Sequence, residues 1–179
     1  MKKTAYIGLG SNLGDGLRTL QQAWREVGNA AEVSLISLSS PYLSAPVGME
    51  SSNWFTNAVG RLETSLPPEE LLRLLMEVES AFGRRRDSKI EGYQDRTLDL
   101  DILYFGETVM HTEMLTLPHP CLKDRLFVLK PLAEVAPDYH DPADCLTPME
   151  KLEQLERQMT EGHVPEQNIS RSEWPRDDV

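Results

Sequence analysis

Residues 96–106 read Arg-Thr-Leu-Asp-Leu-Asp-Ile-Leu-Tyr-Phe-Gly, and this alternation constrains the fold more than any other stretch. Side chains i and i+2 of a strand share a face. Asp99 and Asp101 therefore project from one face, while Leu98, Leu100 and Ile102 form an apolar ladder on the other. Such a strand belongs in a sheet with one side in the core and the other on a polar cleft. Two like charges roughly 7 Å apart repel each other. A cation beside them reverses that penalty, and Mg²⁺ prefers a few carboxylates together with substrate phosphates. Arg84, Arg85, Arg86, Lys89 and Arg96 stand just upstream. Metal-binding carboxylates beside phosphate-binding cations suggest phosphoryl chemistry.

The remaining pattern places this strand in an α+β chain. Ala5 to Leu9 read as a short buried strand, and Gly10 to Gly16 as a turn. Ser11, Asn12 or Asp15 then caps a helix over about 17–28, where Leu17, Leu20, Ala23, Trp24 and Val27 recur at helical spacing. Val33 to Leu43 predicts a long strand broken near Pro41, and Trp54 to Leu62 another. A helix follows from Ser65 as cap, with Pro and Glu in its first turn and Leu71, Leu72, Leu74, Leu75 and Val78 on its apolar face. The order is β-α-β-β-α-β, a ferredoxin-like arrangement. Phe127 to Ala136 predicts a short helix on the sheet. Residues 1–140 are read as the main domain and 141–179 as an extension. That extension is helical over about 148–160 and polar and disordered over 161–179.

Composition narrows the function. The formal net charge is −11, and residues 140–179 alone hold ten acids against four bases. That balance argues against nucleic acid as a partner and makes the local arginine cluster more informative. No apolar run approaches the ~20 residues of a membrane span, and the N-terminus lacks the ~7–15 apolar residues of a signal peptide. Two cysteines, Cys121 and Cys145, are too few for a disulfide framework. The expectation is a cytoplasmic monomer acting on small molecules.

Each motif also has a plainer reading. Gly8-Leu9-Gly10-Ser11-Asn12-Leu13-Gly14 looks like a dinucleotide fingerprint, but its third glycine comes one residue late. It reads first as a tight turn into a capped helix, and second as a lining of the site. Asp99 and Asp101 could be exposed strand residues paired to arginines; Arg96, three residues before Asp99, and the basic run favour the metal reading. His119 is structural or a phosphate donor, since zinc would need ligands that the sequence does not offer. Phe55 and Phe127 would ordinarily be core, but an amide such as Asn57 on the same strand face as Phe55 suits a flat heterocycle.

Together these segments resemble the 6-hydroxymethyl-7,8-dihydropterin pyrophosphokinases of folate biosynthesis. The resemblance runs from about Ala5 to Ala136. It rests on Tyr6 to Gly14, Tyr42 to Gly48, Phe55-Thr56-Asn57-Ala58, Glu79 through Arg86, Arg96 to Leu103, and Pro118-His119-Pro120 with Arg125, Phe127, Val128, Leu129, Pro131 and Leu132. It implies pyrophosphoryl transfer from ATP to the pterin hydroxymethyl oxygen, with release of AMP. Asp99 and Asp101 match carboxylates that hold two Mg²⁺ ions. Arg84 and Arg96 match catalytic arginines on the ATP phosphates. Arg86, His119 and Arg125 fall at further phosphate positions, and Leu72, Ile102 and Thr116 fall around the adenosine. Phe55 and Phe127 match the aromatics that sandwich the pterin. Asn57 matches the amide that reads its edge, and Ser44, Ala45 and Val47 match the pocket lining.

The chain departs from the family where Tyr93-Gln94-Asp95 replaces a Trp-Gly-Pro or similar triplet before Arg96. Tyr93 is expected to cover the pterin side less extensively than Trp, and Asp95 to add negative charge that weakens phosphate binding. Two other classes fit the sequence less well. A nucleotidyltransferase would carry its Gly-Ser signature about a dozen residues before the carboxylates, and Gly10-Ser11 lies far earlier. A non-catalytic pterin- or nucleotide-binding module would not need Asp99, Asp101, Arg84 and Arg96 together.

Overall fold

A computed structural model describes residues 1–47, 51–83 and 95–176. Its elements are β1 (Lys3–Ser11), α1 (Gly16–Val27), β2 (Val33–Leu38), β3 (Tyr42–Ser44), β4 (Phe55–Thr64), α2 (Pro68–Ala81), β5 (Asp99–Phe105), β6 (Met110–His111), β7 (Thr116–Leu117), α3 (Leu126–Val135), α4 (Pro148–Thr160) and β8 (Ile169–Arg171). The main sheet runs β5-β1-β4-β3-β8, and β2 also pairs with β4. Every described pairing in it is antiparallel. With β2 and β3 counted as one interrupted strand, this is the ferredoxin-like order, with β1 and β4 at the centre.

Alternation along the central strands builds two cores. Ile7, Leu9, Leu62, Leu100 and Ile102 face Leu20 and Trp24 of α1 and Leu71 and Leu75 of α2. Tyr6, Val59 and Leu103 face the other way, onto Leu129 and Leu132 of α3 and Leu155 of α4. Trp24 lies so close to β4 that a Cβ at Gly60 would sit 2.3 Å from its Cη2, so only glycine lets α1 settle on the sheet. The β1–β5 register shifts between Tyr6 and Ile7, which face Tyr104 and Ile102. Leu103 is thus the extra residue of a bulge, and Leu103 and Tyr104 both reach the α3 core.

Several boundaries differ from expectation. β1 continues through Gly10 and Ser11, because both neighbours, β4 and β5, extend the ladder to Gly10. Asp15, rather than Ser11 or Asn12, caps α1 by accepting from Arg18 N at 3.1 Å. Ser65 does not cap α2; its N–H bonds Glu32 O at 3.1 Å, and Pro67 takes the cap position.

The extension packs onto the same body. Thr147 and Glu150 form a capping box that opens α4. Lys151 is buried, with its ammonium 3.0 Å from Asp141 Oδ2 and also paired to Asp144. Tyr104 donates to Asp141 Oδ2 at 2.8 Å, so this ion cluster reaches β5 itself. Burial and the adjoining carboxylate raise the Tyr104 pKa and keep it a donor. Disorder was expected over 161–179, but Ile169–Arg171 forms β8 on the edge of β3. Trp174 donates to Ser39 O at 2.8 Å and packs on the α1/α2 core. Sheet pairing and one aromatic anchor order a segment whose composition is polar.

Candidate active site

One cleft opens where β1, β4 and β5 meet the start of α3. Its first part lies between Ser44, Ala45, Val47 and Phe55 on one side and Arg125 and Phe127 on the other. Its second part runs along Gly8, Asp101, Leu103 and His119. Gly10, Asn57, Asp99, Arg125 and Phe127 border both parts. The cleft is therefore aromatic and amide-lined at one end, and charged at the other.

The sheet register explains the layout. Asp99 and Asp101 pair across from Gly10 and Gly8, and β4 places Asn57 and Val59 across from the same two glycines. Because neither glycine has a side chain, β1 offers a bare floor beside both carboxylates. Leu100, between them, is buried in the opposite core. Glu79, itself 3% exposed, accepts from Leu100 N at 2.7 Å and pins this part of β5 to α2. Asn57 is buried and donates to Ser44 Oγ at 2.9 Å, which fixes its amide.

Arg96 is held at its backbone and at its guanidinium. Its N–H donates to Asn12 Oδ1 at 2.8 Å, and its carbonyl accepts from Asn12 N at 3.1 Å. Its Nη1 lies 2.5 Å from Asp99 Oδ2, with the two side chains 14% and 21% exposed. Asp95 does not stand as a loose charge. It accepts from Asn12 Nδ2 at 2.6 Å, Ser51 Oγ at 2.7 Å and Asn53 Nδ2 at 3.1 Å, and so joins three loops in front of Arg96. Bonds from Ser51 and Asn12, then Asn53, hold its pKa below the usual value. The expected weakening of phosphate binding thus meets a carboxylate already engaged in structure.

His119 lies beside the acidic strand. Burial pushes its pKa below the ordinary 6.5, Arg125 adds to that, and Asp99 opposes it. Its Nδ1 accepts from Cys121 N at 3.3 Å, which leaves the neutral ring's proton on Nε2. The contribution of the neutral ring to stability is full above pH 6.5 and is lost as pH falls through the depressed folded-state value. Nitrogen-15 NMR of the metal-free protein is expected to give a midpoint below 6.5 and the Nε2–H tautomer; a midpoint at or above 6.5 would contradict this. Arg125 stands 5.6 Å over the Phe127 ring, a cation–π contact that joins the charged and aromatic ends.

Ser44, Ala45, Val47, Phe55, Asn57, Arg96, Asp99, Asp101, His119, Arg125 and Phe127 thus come together in the cleft. Ile102 differs: strand alternation turns its side chain into the α1/α2 core, 2% exposed. Leu72 lines a separate groove on α2 with Arg73, Met76 and Met114. Thr116, on β7, bonds His111 with Oγ1 2.8 Å from Nδ1. Arg84, Arg86 and Tyr93 lie outside the described residues. Gly8, Gly10 and Asn12 build the site, which was the second reading of the Gly8–Gly14 segment, and Glu79 supports it without a role expected from the sequence. The visible signals were glycines at i and i+2 in a strand, and one carboxylate on the apolar face of α2.

Residues 6–137 match the model of the 7,8-dihydro-6-hydroxymethylpterin-pyrophosphokinase (HPPK) family. The chain belongs to that family. A Bacillus subtilis 2-amino-4-hydroxy-6-hydroxymethyldihydropteridine pyrophosphokinase is 44% identical over 135 residues, covering 75% of this chain and 79% of the relative. A Synechocystis pyrophosphokinase of the same name is 40% identical over 152 residues, covering 85% and 76%. Among solved structures, a Plasmodium falciparum HPPK-DHPS superposes with a TM-score of 0.76 at 13% identity. It covers 96% of this chain and 48% of that one, so this chain spans about half of the larger protein. The likeness at that identity is one of fold. Membership in HPPK makes this a pyrophosphokinase of folate biosynthesis.

Proposed function

We propose that the protein transfers a pyrophosphoryl group from ATP to the hydroxymethyl oxygen of 6-hydroxymethyl-7,8-dihydropterin and releases AMP, using two Mg²⁺ ions held by Asp99 and Asp101. The single observation that carries this reading is the continuity of the cleft: Asn57, Asp99, Arg125 and Phe127 border both its aromatic and its charged part. A flat heterocycle between Phe55 and Phe127 would therefore present a short side arm to the carboxylate end.

The donor set suits magnesium. Asp99 and Asp101 offer hard oxygens on one face, and no group of three or more His, Cys, Asp or Glu side chains poised for a metal occurs among the described residues. Two protein carboxylates with the remaining positions left to phosphates and water are what Mg²⁺ takes. Bound there, it would offset triphosphate charge and polarise the attacking hydroxyl.

The chain's own residues do the rest. Phe55 and Phe127 stack the pterin, while Asn57, oriented by Ser44, reads its hydrogen-bonding edge. Ala45 and Val47 close the rim. Arg96, Arg125 and the Nε2–H of His119 bind phosphate oxygens, and Arg84 and Arg86 would add charge from the adjoining segment. Leu72, Thr116 and the backbone about Ile102 would receive the adenosine, and Tyr93 would cover the pterin. The hydroxymethyl oxygen attacks the β-phosphorus, the bond from that phosphorus to the α-phosphate oxygen breaks, and AMP leaves with the electron pair. Positioning and fixed charge supply most of the rate. No helix among the described residues is long and apolar enough to cross a membrane. We take the enzyme to work as a cytoplasmic monomer, for which free Cys121 and Cys145 are suited.

The test is direct. Protein, Mg²⁺, ATP and the pterin are expected to yield AMP and the pterin pyrophosphate in equal amounts. ADP or free pyrophosphate as the nucleotide-side product would overturn the reading. The glycine floor offers a second check. A Cβ at Gly10 would meet Asn57 Oδ1 at 3.6 Å and Asp99 Cβ at 4.0 Å, ordinary contacts that should leave the fold intact. Gly10→Ala is therefore expected to melt like wild type while raising the pterin KM by about tenfold, since the methyl fills the cleft where both halves join. Unchanged KM would place the substrate elsewhere.

A further inference from the structure

The C-terminal segment holds both walls of the aromatic end of the cleft. α3 starts at Leu126 without a side-chain cap of its own, because Arg125 occupies that position. Gln167 replaces the missing cap from 41 residues downstream: its Oε1 accepts from Leu126 N at 2.9 Å. Its Nε2 donates to Asp124 O at 2.8 Å, so the amide brackets Arg125 on both sides. One residue later, Asn168 O accepts from Ala45 N at 3.0 Å. Ile169 then pairs with Ser44, which in turn pairs with Phe55 on β4.

Three consecutive residues thus tie the Ser44–Phe55 wall to the Arg125–Phe127 wall. Beyond them the strand is anchored by Ser172 N on Pro41 O at 2.8 Å and by Trp174 on Ser39 O at 2.8 Å. The anchorage lies outside the cleft, so the tripeptide is held independently of any ligand. We propose that Gln167–Ile169 is a positioning strap that fixes the gap between Phe55 and Phe127 and thereby sets affinity for the flat heterocycle, without contacting the nucleotide. The strap rests on the reading of this end of the cleft as the pterin site. Residues that lock the walls of a site act through geometry, and an ångström of misplacement is costly.

Gln167 is half-buried at the surface, so water can take over both backbone groups when its amide is removed. Steady-state kinetics of Gln167→Ala should therefore show a pterin KM raised about tenfold, with the ATP KM and kcat within about twofold of wild type. Gln167→Glu keeps an acceptor for Leu126 N but turns a second acceptor on Asp124 O where Nε2 donated, so its pterin KM should rise at least as far as that of Gln167→Ala. A pterin KM unmoved in Gln167→Ala, beside normal wild-type turnover, overturns the strap alone. So does a parallel change in both KM values and kcat with a lowered melting temperature, which is the mark of general loosening. Failure of the wild-type protein to form AMP overturns the pterin reading and the strap with it.

Discussion

Asp101→Ala is expected to lower kcat by about three orders of magnitude, equivalent to about 4 kcal/mol of barrier, while the protein stays folded. The loss is large because this carboxylate would hold the divalent cation that offsets the triphosphate charge, and without it that charge is left uncompensated. The fold survives because β5 is held by its other face, where Leu100 and Ile102 are buried and Glu79 takes the Leu100 N–H. Asp99→Ala should do at least as much, since Asp99 also holds the Arg96 guanidinium. Circular dichroism and a melting curve beside an AMP-release assay separate the two effects. Turnover within tenfold of wild type in either variant would remove the metal assignment.

Arg96→Ala is expected to cost about 2–4 kcal/mol of transition-state stabilisation, or about 30- to 1,000-fold in kcat/KM, as for other preorganised donors. Preorganisation is visible in its surroundings. Asn12 binds both backbone groups of Arg96, and Asp99 binds its guanidinium. Arg96→Lys should recover little, because a point charge on a flexible stem replaces a planar fork. A loss below tenfold would make Arg96 peripheral. The Arg96 and Asp99 effects should also be non-additive in the double variant, since each side chain is the other's partner.

Much of this site was legible because it is written in local periods. Asp99-x-Asp101 reports its face through the period of a strand, and Phe55-x-Asn57 does the same on β4, across β1. What was hidden depends on pairing partners distant in sequence. Gly8 and Gly10 read as part of a turn, since nothing local shows that two strands flank them and turn them into a floor. Asp95 read as a misplaced charge because its donors, Asn12, Ser51 and Asn53, lie 42 to 83 residues away. The polar tail around Gln167 carries no apolar period, so its order comes from backbone pairing to β3 and from Trp174. Ile102 was legible by the same alternation: its period put it on the apolar ladder, and its side chain is buried in the α1/α2 core, so only its backbone is left for the adenosine position that the resemblance implies.

The central claim is that Asp99 and Asp101 together seat divalent ions against the triphosphate. Mn²⁺ in place of Mg²⁺, titrated into protein saturated with the pterin and an ATP analogue blocked at the α,β bridge, can be counted by electron paramagnetic resonance. Wild type is expected to bind two ions per chain tightly, and Asp99→Ala and Asp101→Ala to lose at least one. Equal Mn²⁺ binding by wild type and both variants would contradict the account.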